Sequence, residues 1–269
     1  MSTFVTLLRV YLKFYFSTRR FIAILPFYVF ASVLSPTLVI TGTIPKSPDV
    51  YAWFQLGFLY FTSSAALVAG LLGGDALSQD FGRQGLFTLS QPIRRSVIML
   101  ARYTAAFIAS AIIMVGVYDL IGAMFAQYIY GQLVPSAALI VAMSLLLTAS
   151  MVAFVVLFSS LFKSPNISMI IAIVLIWVIM PLISSILALV HVEPWFLLTY
   201  AGNVLQALAQ KTYPPNVQTV QISPASGLPT VTVYNPALLE ATAIMLGYLV
   251  VSLLLAWIVY SRRELKETA

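Results

Sequence analysis

The chain has 269 residues, of which 61% are hydrophobic and only 8% charged. A soluble domain carries roughly 25% charged residues, so this composition cannot cover a water-facing surface and predicts an integral membrane protein. The absence of cysteine excludes disulfides, thiolate metal sites and a cysteine nucleophile, and a single histidine, His191, excludes the two-histidine metal motifs. The net charge of +6 is accounted for below by topology rather than by nucleic-acid binding.

The first element is not a span. Ser2, Thr6, Arg9, Lys13, Ser17 and Arg20 recur at steps of three and four, with Phe4, Val5, Leu7, Leu8, Leu12, Phe14 and Tyr15 on the other faces. This is an amphipathic helix over residues 1–20 with a cationic stripe, suited to the membrane interface. A plain basic anchor is the simpler alternative.

Six apolar runs follow, at 21–40, 52–72, 103–125, 137–162, 167–190 and 237–260. Each meets the roughly 20 residues needed to cross a bilayer. Pro36 interrupts the end of the first run, and the basic leader before it fits an uncleaved first span better than a signal peptide. With the N-terminus inside, Arg9, Lys13, Arg19, Arg20, Arg83, Arg94, Arg95, Arg102, Lys163, Arg262, Arg263 and Lys266 fall on the cytoplasmic side, and Lys46 and Lys211 outside. That bias sets a multi-pass topology in the cell membrane with both termini cytoplasmic. The resulting plan is all-α: an interfacial helix at 1–20, one six-span domain at 21–260 and a charged tail at 261–269.

Two connections carry most of the remaining information. In the loop at 73–102, Gly73 and Gly74 end the second span, and a short surface helix is expected around 76–89. The outer loop at 191–236 begins with 195–210, apolar but too short to span, with Thr199, Asn203, Gln206 and Gln210 as a polar stripe. It reads as a re-entrant or outer-surface helix. The β-branched stretches at 217–222 and 230–234 around Ser223–Gly227 predict a small hairpin. Asn235 and Pro236 read as the cap and first-turn proline of the sixth span.

The stretch 77–102, LSQDFGRQGLFTLSQPIRRSVIMLAR, resembles the cytoplasmic loop of ABC-2-type transporter permeases. That family places an acidic residue, a glycine, an apolar helix, a proline, a basic residue and then a second basic residue opening span three. Asp80 takes the acidic position, where glutamate is more usual; Gly85, Pro92, Arg95 and Arg102 take the others, with Gln91 before the proline and an extra glycine at Gly82. The motif covers about a tenth of the chain. The plan of interfacial helix, six spans and external segment before the sixth extends the resemblance over nearly all of it.

The resemblance implies a permease subunit, an exporter, whose loop is a coupling helix seated on a separate ATPase. Gln79, Asp80, Arg83, Gly85, Gln91, Pro92, Arg94 and Arg95 are the ATPase-coupling positions so implied. It also implies a second permease copy or a similar permease as partner, with ATP and Mg²⁺ held by the ATPase and no cofactor in this chain. Positive-inside anchoring accounts for Arg94 and Arg95 almost as well, and an ordinary solvated acid is the alternative for Asp80.

No G-x-x-x-x-G-K-[ST] phosphate loop is present, so ATP hydrolysis needs another polypeptide. An intramembrane serine hydrolase wants a histidine base, and His191, beside Glu193 at the outer end of span five, reads as an interfacial side chain. Asp119 is the one acid well inside a span, about 25 Å along the helix from Arg102. It is a candidate contact on the translocation path, or equally an acid bonded to a neighbouring span. Glu240 suits the helix dipole at the start of span six. Tyr118, Tyr128, Tyr130 and Trp195 fit an aromatic belt. The alternative to the transporter subunit is a stand-alone carrier or channel not powered by ATP.

Overall fold

The computed structural model describes residues 3–81, 93–221 and 230–262. Helix α1 (Thr3–Ser17) is followed by α2 (Arg19–Ile40), α3 (Val50–Phe58) and α4 (Phe61–Gly73). Then come α5 (Arg95–Tyr130), α6 (Ala137–Leu161), α7 (Pro165–Leu189), the short α8 (Leu198–Gly202) and α9 (Val204–Leu208), strands β1 (Val217–Gln221) and β2 (Thr230–Tyr234), and α10 (Leu238–Arg262). Six helical segments are long and apolar enough to cross a membrane among the described residues: α2, the α3–α4 segment running on to Phe81, α5, α6, α7 and α10. The chain is a multi-pass helical membrane protein.

Helix α6 is the centre of the bundle. Its sequence carries no charged residue and is apolar all round, the pattern of a helix buried on every side. It contacts α4, α5, α7, α9 and α10. Its hydroxyls are turned to use inside: Ser150 donates to the Met245 carbonyl of α10 at 2.8 Å. Helices α2, α7 and α10 are buried over much less of their surface and form the periphery.

Helix α1 is amphipathic as its spacing predicts. Thr6, Arg9, Lys13 and Ser17 are exposed while Tyr15 is buried against the bundle. Val10 and Phe14 remain exposed on a second, apolar strip. Thr18 ends α1 and caps α2, its hydroxyl accepting from the Phe21 amide at 3.4 Å.

The spans differ from the expected runs at their interruptions. Pro36 does not end α2, which continues through Pro26 and Pro36 to Ile40; prolines are tolerated in membrane helices because neighbouring groups take up the freed backbone. The second span is broken at Leu59–Tyr60, between α3 and α4. The Gly57 carbonyl near that break accepts a hydrogen bond from the Tyr118 hydroxyl of α5. Tyr118 is therefore a packing residue, its ring edge-on to Phe61, and not part of an aromatic belt. Helix α5 begins eight residues before its apolar run and holds a π-helical stretch at Ile112–Asp119; α7 holds another at Leu175–Ile179.

Helices α4 and α7 meet through glycine. A Cβ on Gly70 would sit 2.4 Å from Ile173 Cγ1, and one on Gly74 would sit 2.7 Å from Met169 Cβ. The spacing is the small-xxx-small pattern that lets membrane helices approach closely.

Beyond α7, residues 198–208 form two short helices with their apolar faces buried against α3, α6, α7 and α10. Thr199, Asn203, Gln206 and Gln210 make the less buried face, as their spacing predicts. Strands β1 and β2 pair antiparallel from Val217↔Tyr234 to Gln221↔Thr230; the turn between them lies outside the described residues. Asn235 does not cap α10. Its side chain donates to the Pro215 carbonyl at 3.0 Å, and Glu240 instead accepts from the Ala237 amide at 3.4 Å.

Candidate functional site

Helix α4 runs to Gly73, with Gly74 as its cap, and the chain then folds into a 3₁₀ turn at Ser78–Phe81. That turn is the described part of the surface helix expected at 76–89. Ser159 of α6 secures it, its hydroxyl accepting from the Leu77 and Ser78 amides at 2.9 and 3.0 Å. The turn aims Asp80 inward.

Asp80 is not a surface acid. It is 1% exposed, and both carboxylate oxygens are engaged. Oδ1 accepts from Arg102 Nη2 at 2.6 Å, and Oδ2 accepts from the Tyr260 hydroxyl at 2.7 Å. Arg102 also donates through Nη1 to the Ala76 carbonyl at 2.5 Å and lies 4.8 Å from the Tyr11 ring. One acid thus joins the end of the second span, the start of α5, the end of α10 and, through Arg102, helix α1. A buried charge pair survives only with such additional bonds.

A second cluster lies beside it. Asp75 pairs with Arg20 of α2 at 3.1 Å and accepts from Gln79 Nε2 at 2.9 Å. Arg95 opens α5 and donates to the Ser261 carbonyl at 3.2 Å, a cation at the C-terminus of α10. Side chains therefore cross-tie α1, α2, α4, α5 and α10 at this end of the bundle.

Of the residues singled out from sequence, Gln79, Asp80 and Arg95 take part in these ties, and Arg94 is exposed at the first position before α5. Arg83, Gly85, Gln91 and Pro92 lie outside the described residues. Asp119 is elsewhere in the bundle, 17 residues along α5 from Arg102 and 5% exposed. Tyr11, Arg20, Tyr260 and Ser159 were not anticipated. Arg102 has a signal in the sequence, since an acid at a span end wants a cation from a neighbouring span end; Tyr260 has none.

At the opposite end of the bundle, a cavity of about 250 Å³ is lined by Thr62, Ser63, Ser184, Ser185, Thr199 and Asn203, with Tyr200 beside them and no charged side chain. It sits where two spans are interrupted, just beyond the α3–α4 break and after the π-helical stretch of α7. Tyr200 is held by its hydroxyl on Glu193 at 2.5 Å. Burial and the Glu193 carboxylate push the Tyr200 phenol above its ordinary range, so it stays a neutral donor. His191 is exposed and contacts Thr232 at 3.1 Å. Among the described residues no group of three or more metal-ligating side chains is present.

Family models give no match to this chain, and neither do curated proteins.

Proposed function

We propose that this chain is the membrane-spanning permease subunit of an ABC-type transporter, exporting a substrate with ATP hydrolysed by a separate subunit. The carrying observation is the clamp around Asp80. The loop between α4 and α5 is rooted on both sides in a network that also holds α1 and α10. A soluble motor that moves this loop moves several spans together, which is what energy coupling through a bundle requires. Asp80 serves this role from inside, as a positioning residue acting through Arg102 and Tyr260, rather than by meeting a charge on the motor. Exposed Arg94 and the loop residues Arg83, Gly85, Gln91 and Pro92 are the proposed contacts for the ATPase.

The charge distribution supports the orientation. Arg9, Lys13, Arg19, Arg94, Lys163 and Arg262 belong to the clamp end and Lys46 and Lys211 to the other, so the clamp end is cytoplasmic. The hydroxyl-lined cavity at the outer end is the proposed substrate contact, and a second permease, identical or similar, completes the path.

A stand-alone carrier is the second reading, favoured by one observation, the unpaired buried acid Asp119. A mild-detergent pull-down of the tagged protein from its native cells, followed by mass spectrometry, separates the two. A stoichiometric ATPase subunit supports the transporter. Its reproducible absence, with the membrane protein intact, overturns that reading in favour of the carrier or channel.

A further inference from the structure

We infer that Asp119 is a proton-binding site inside the membrane-crossing bundle, held as a neutral carboxylic acid beside the Ser144 hydroxyl. The inference concerns the bundle itself and stands whether or not an ATPase is its partner.

Asp119 closes the π-helical stretch of α5, and neither of its carboxyl oxygens has a hydrogen-bond partner among the described residues. The Ser144 hydroxyl of α6 is likewise unpartnered and is the polar group that acts on the Asp119 carboxyl. A buried carboxyl with no polar neighbour beyond one hydroxyl is unusual, because buried polar atoms are nearly always satisfied.

Among the described residues the surroundings hold no counter-charge. The elements packed on the π-helical stretch are α2, α4 and α6. Helices α4 and α6 carry no charged residue. The charges of α2 are Arg19 and Arg20 in its first turn, and Arg20 is engaged with Asp75. On α5 itself Arg102 is bound to Asp80 and Arg95 to the end of α10. The nearby phenols are committed as well: Tyr118 donates to the Gly57 carbonyl, and Tyr28 of α2 to the Ser64 carbonyl.

An ionised carboxylate in such a place would have no cation and only the Ser144 hydroxyl as donor, and a group in that position neutralises instead. The protonated acid resolves the deficit. It gains one O–H donor, and the Ser144 hydroxyl, free to rotate, accepts or donates in turn. Thr148 leaves that hydroxyl free, since it donates to the Ser144 backbone carbonyl at 2.8 Å. Release of the proton requires water or a cation to reach Asp119. π-helical stretches inside α-helices occur frequently at functional sites.

The test uses the full chain reconstituted in phosphatidylcholine vesicles at neutral pH, read first by infrared spectroscopy. The expected result is the carbonyl band of a protonated carboxylic acid, lost in Asp119→Asn. Dicyclohexylcarbodiimide gives a second readout on the unmutated protein. The acid adds across one C=N bond of the reagent, its proton going to nitrogen and its oxygen to carbon, and the O-acylisourea rearranges to a stable N-acylurea. Peptide mass spectrometry is expected to place the adduct on Asp119, with exposed Asp49 unlabelled and labelling reduced as pH is raised. Absence of a protonated-acid band in the unmutated protein overturns the inference, as does a band that Asp119→Asn leaves unchanged. Should Asp119→Asn fail to fold, the unmutated band and the position of the adduct decide, and an adduct only on other carboxyls overturns it.

Discussion

The Asp80 carboxylate and the Arg102 guanidinium meet at 2.6 Å with side chains 1% and 10% exposed. Neither has another full charge as its primary partner, so each makes the other tolerable. Removing one alone leaves a buried charge, at a cost of about 3–5 kcal/mol, whereas replacing both by apolar residues of similar volume is often far milder. Asp80→Ala and Arg102→Met should each lower the thermal midpoint strongly in detergent. The double variant Asp80→Leu/Arg102→Met should be more stable than the sum of the two losses. Additive losses across this double-mutant cycle would show that the two do not act as a unit. Asp80→Lys, which sets a second cation against Arg102, is accordingly a folding lesion and a poor test of coupling.

Tyr260→Phe is the better test, because it removes one hydroxyl and keeps the ring that packs edge-on to Phe81. A hydrogen bond to a charged acceptor contributes about 1.5–3 kcal/mol, so the protein should be weakened but still fold. If the clamp transmits motion from the loop to α10, the assembled complex should keep its ATP turnover while transport falls several-fold. A parallel fall of both activities would assign Tyr260 to stability alone.

Ser159→Ala probes the same region from α6. One hydroxyl serves the Leu77 and Ser78 amides, and alanine leaves both without a side-chain partner. An unsatisfied buried donor costs roughly 1–3 kcal/mol. Hydrogen exchange at these two amides should rise by at least tenfold, with α10 amides far from the turn unaffected. Unchanged exchange would mean that the turn is held by Asp80 without help from α6.

The six spans were legible in the sequence because apolar length alone identifies them, and so were α1 and the hairpin, whose periodicities differ from that of a span. The interruptions were not. Neither Leu59 nor Tyr60 is glycine or proline, and the Gly57 carbonyl beside the break is met by Tyr118, 58 residues after Tyr60. Pro36, the local breaker the sequence does display, breaks nothing. At the clamp, Asp80 and Arg102 were visible as charges near span ends, but their pairing depends on the chain folding back after Gly74. Tyr260 is in the sequence only the last residue of the sixth apolar run. Nothing local distinguishes a phenol that meets lipid from one that meets a carboxylate.

Gly70 and Gly74 are glycines of the same kind, plain in the sequence and informative only once α7 is seen against them. Gly70→Ala puts a methyl 2.4 Å from Ile173 Cγ1 and 2.7 Å from Ile173 Cδ1, so α4 and α7 must separate or Ile173 must move. Overpacking of this sort costs about 1–3 kcal/mol. Gly74→Ala should be worse, since its methyl also meets backbone, the Gly70 carbonyl oxygen at 2.6 Å. Gly122→Ala is the control: it has open space around it and lies within helical α5, so it should leave the thermal midpoint unchanged or slightly raised. Ile173→Ala removes both side-chain atoms that Gly70→Ala strikes, and the pair should recover most of the loss that Gly70→Ala causes alone. It should do nothing for Gly74→Ala, which meets Met169 instead. Equal rescue of both glycine variants, or of neither, would show that α4 and α7 do not interlock at these positions.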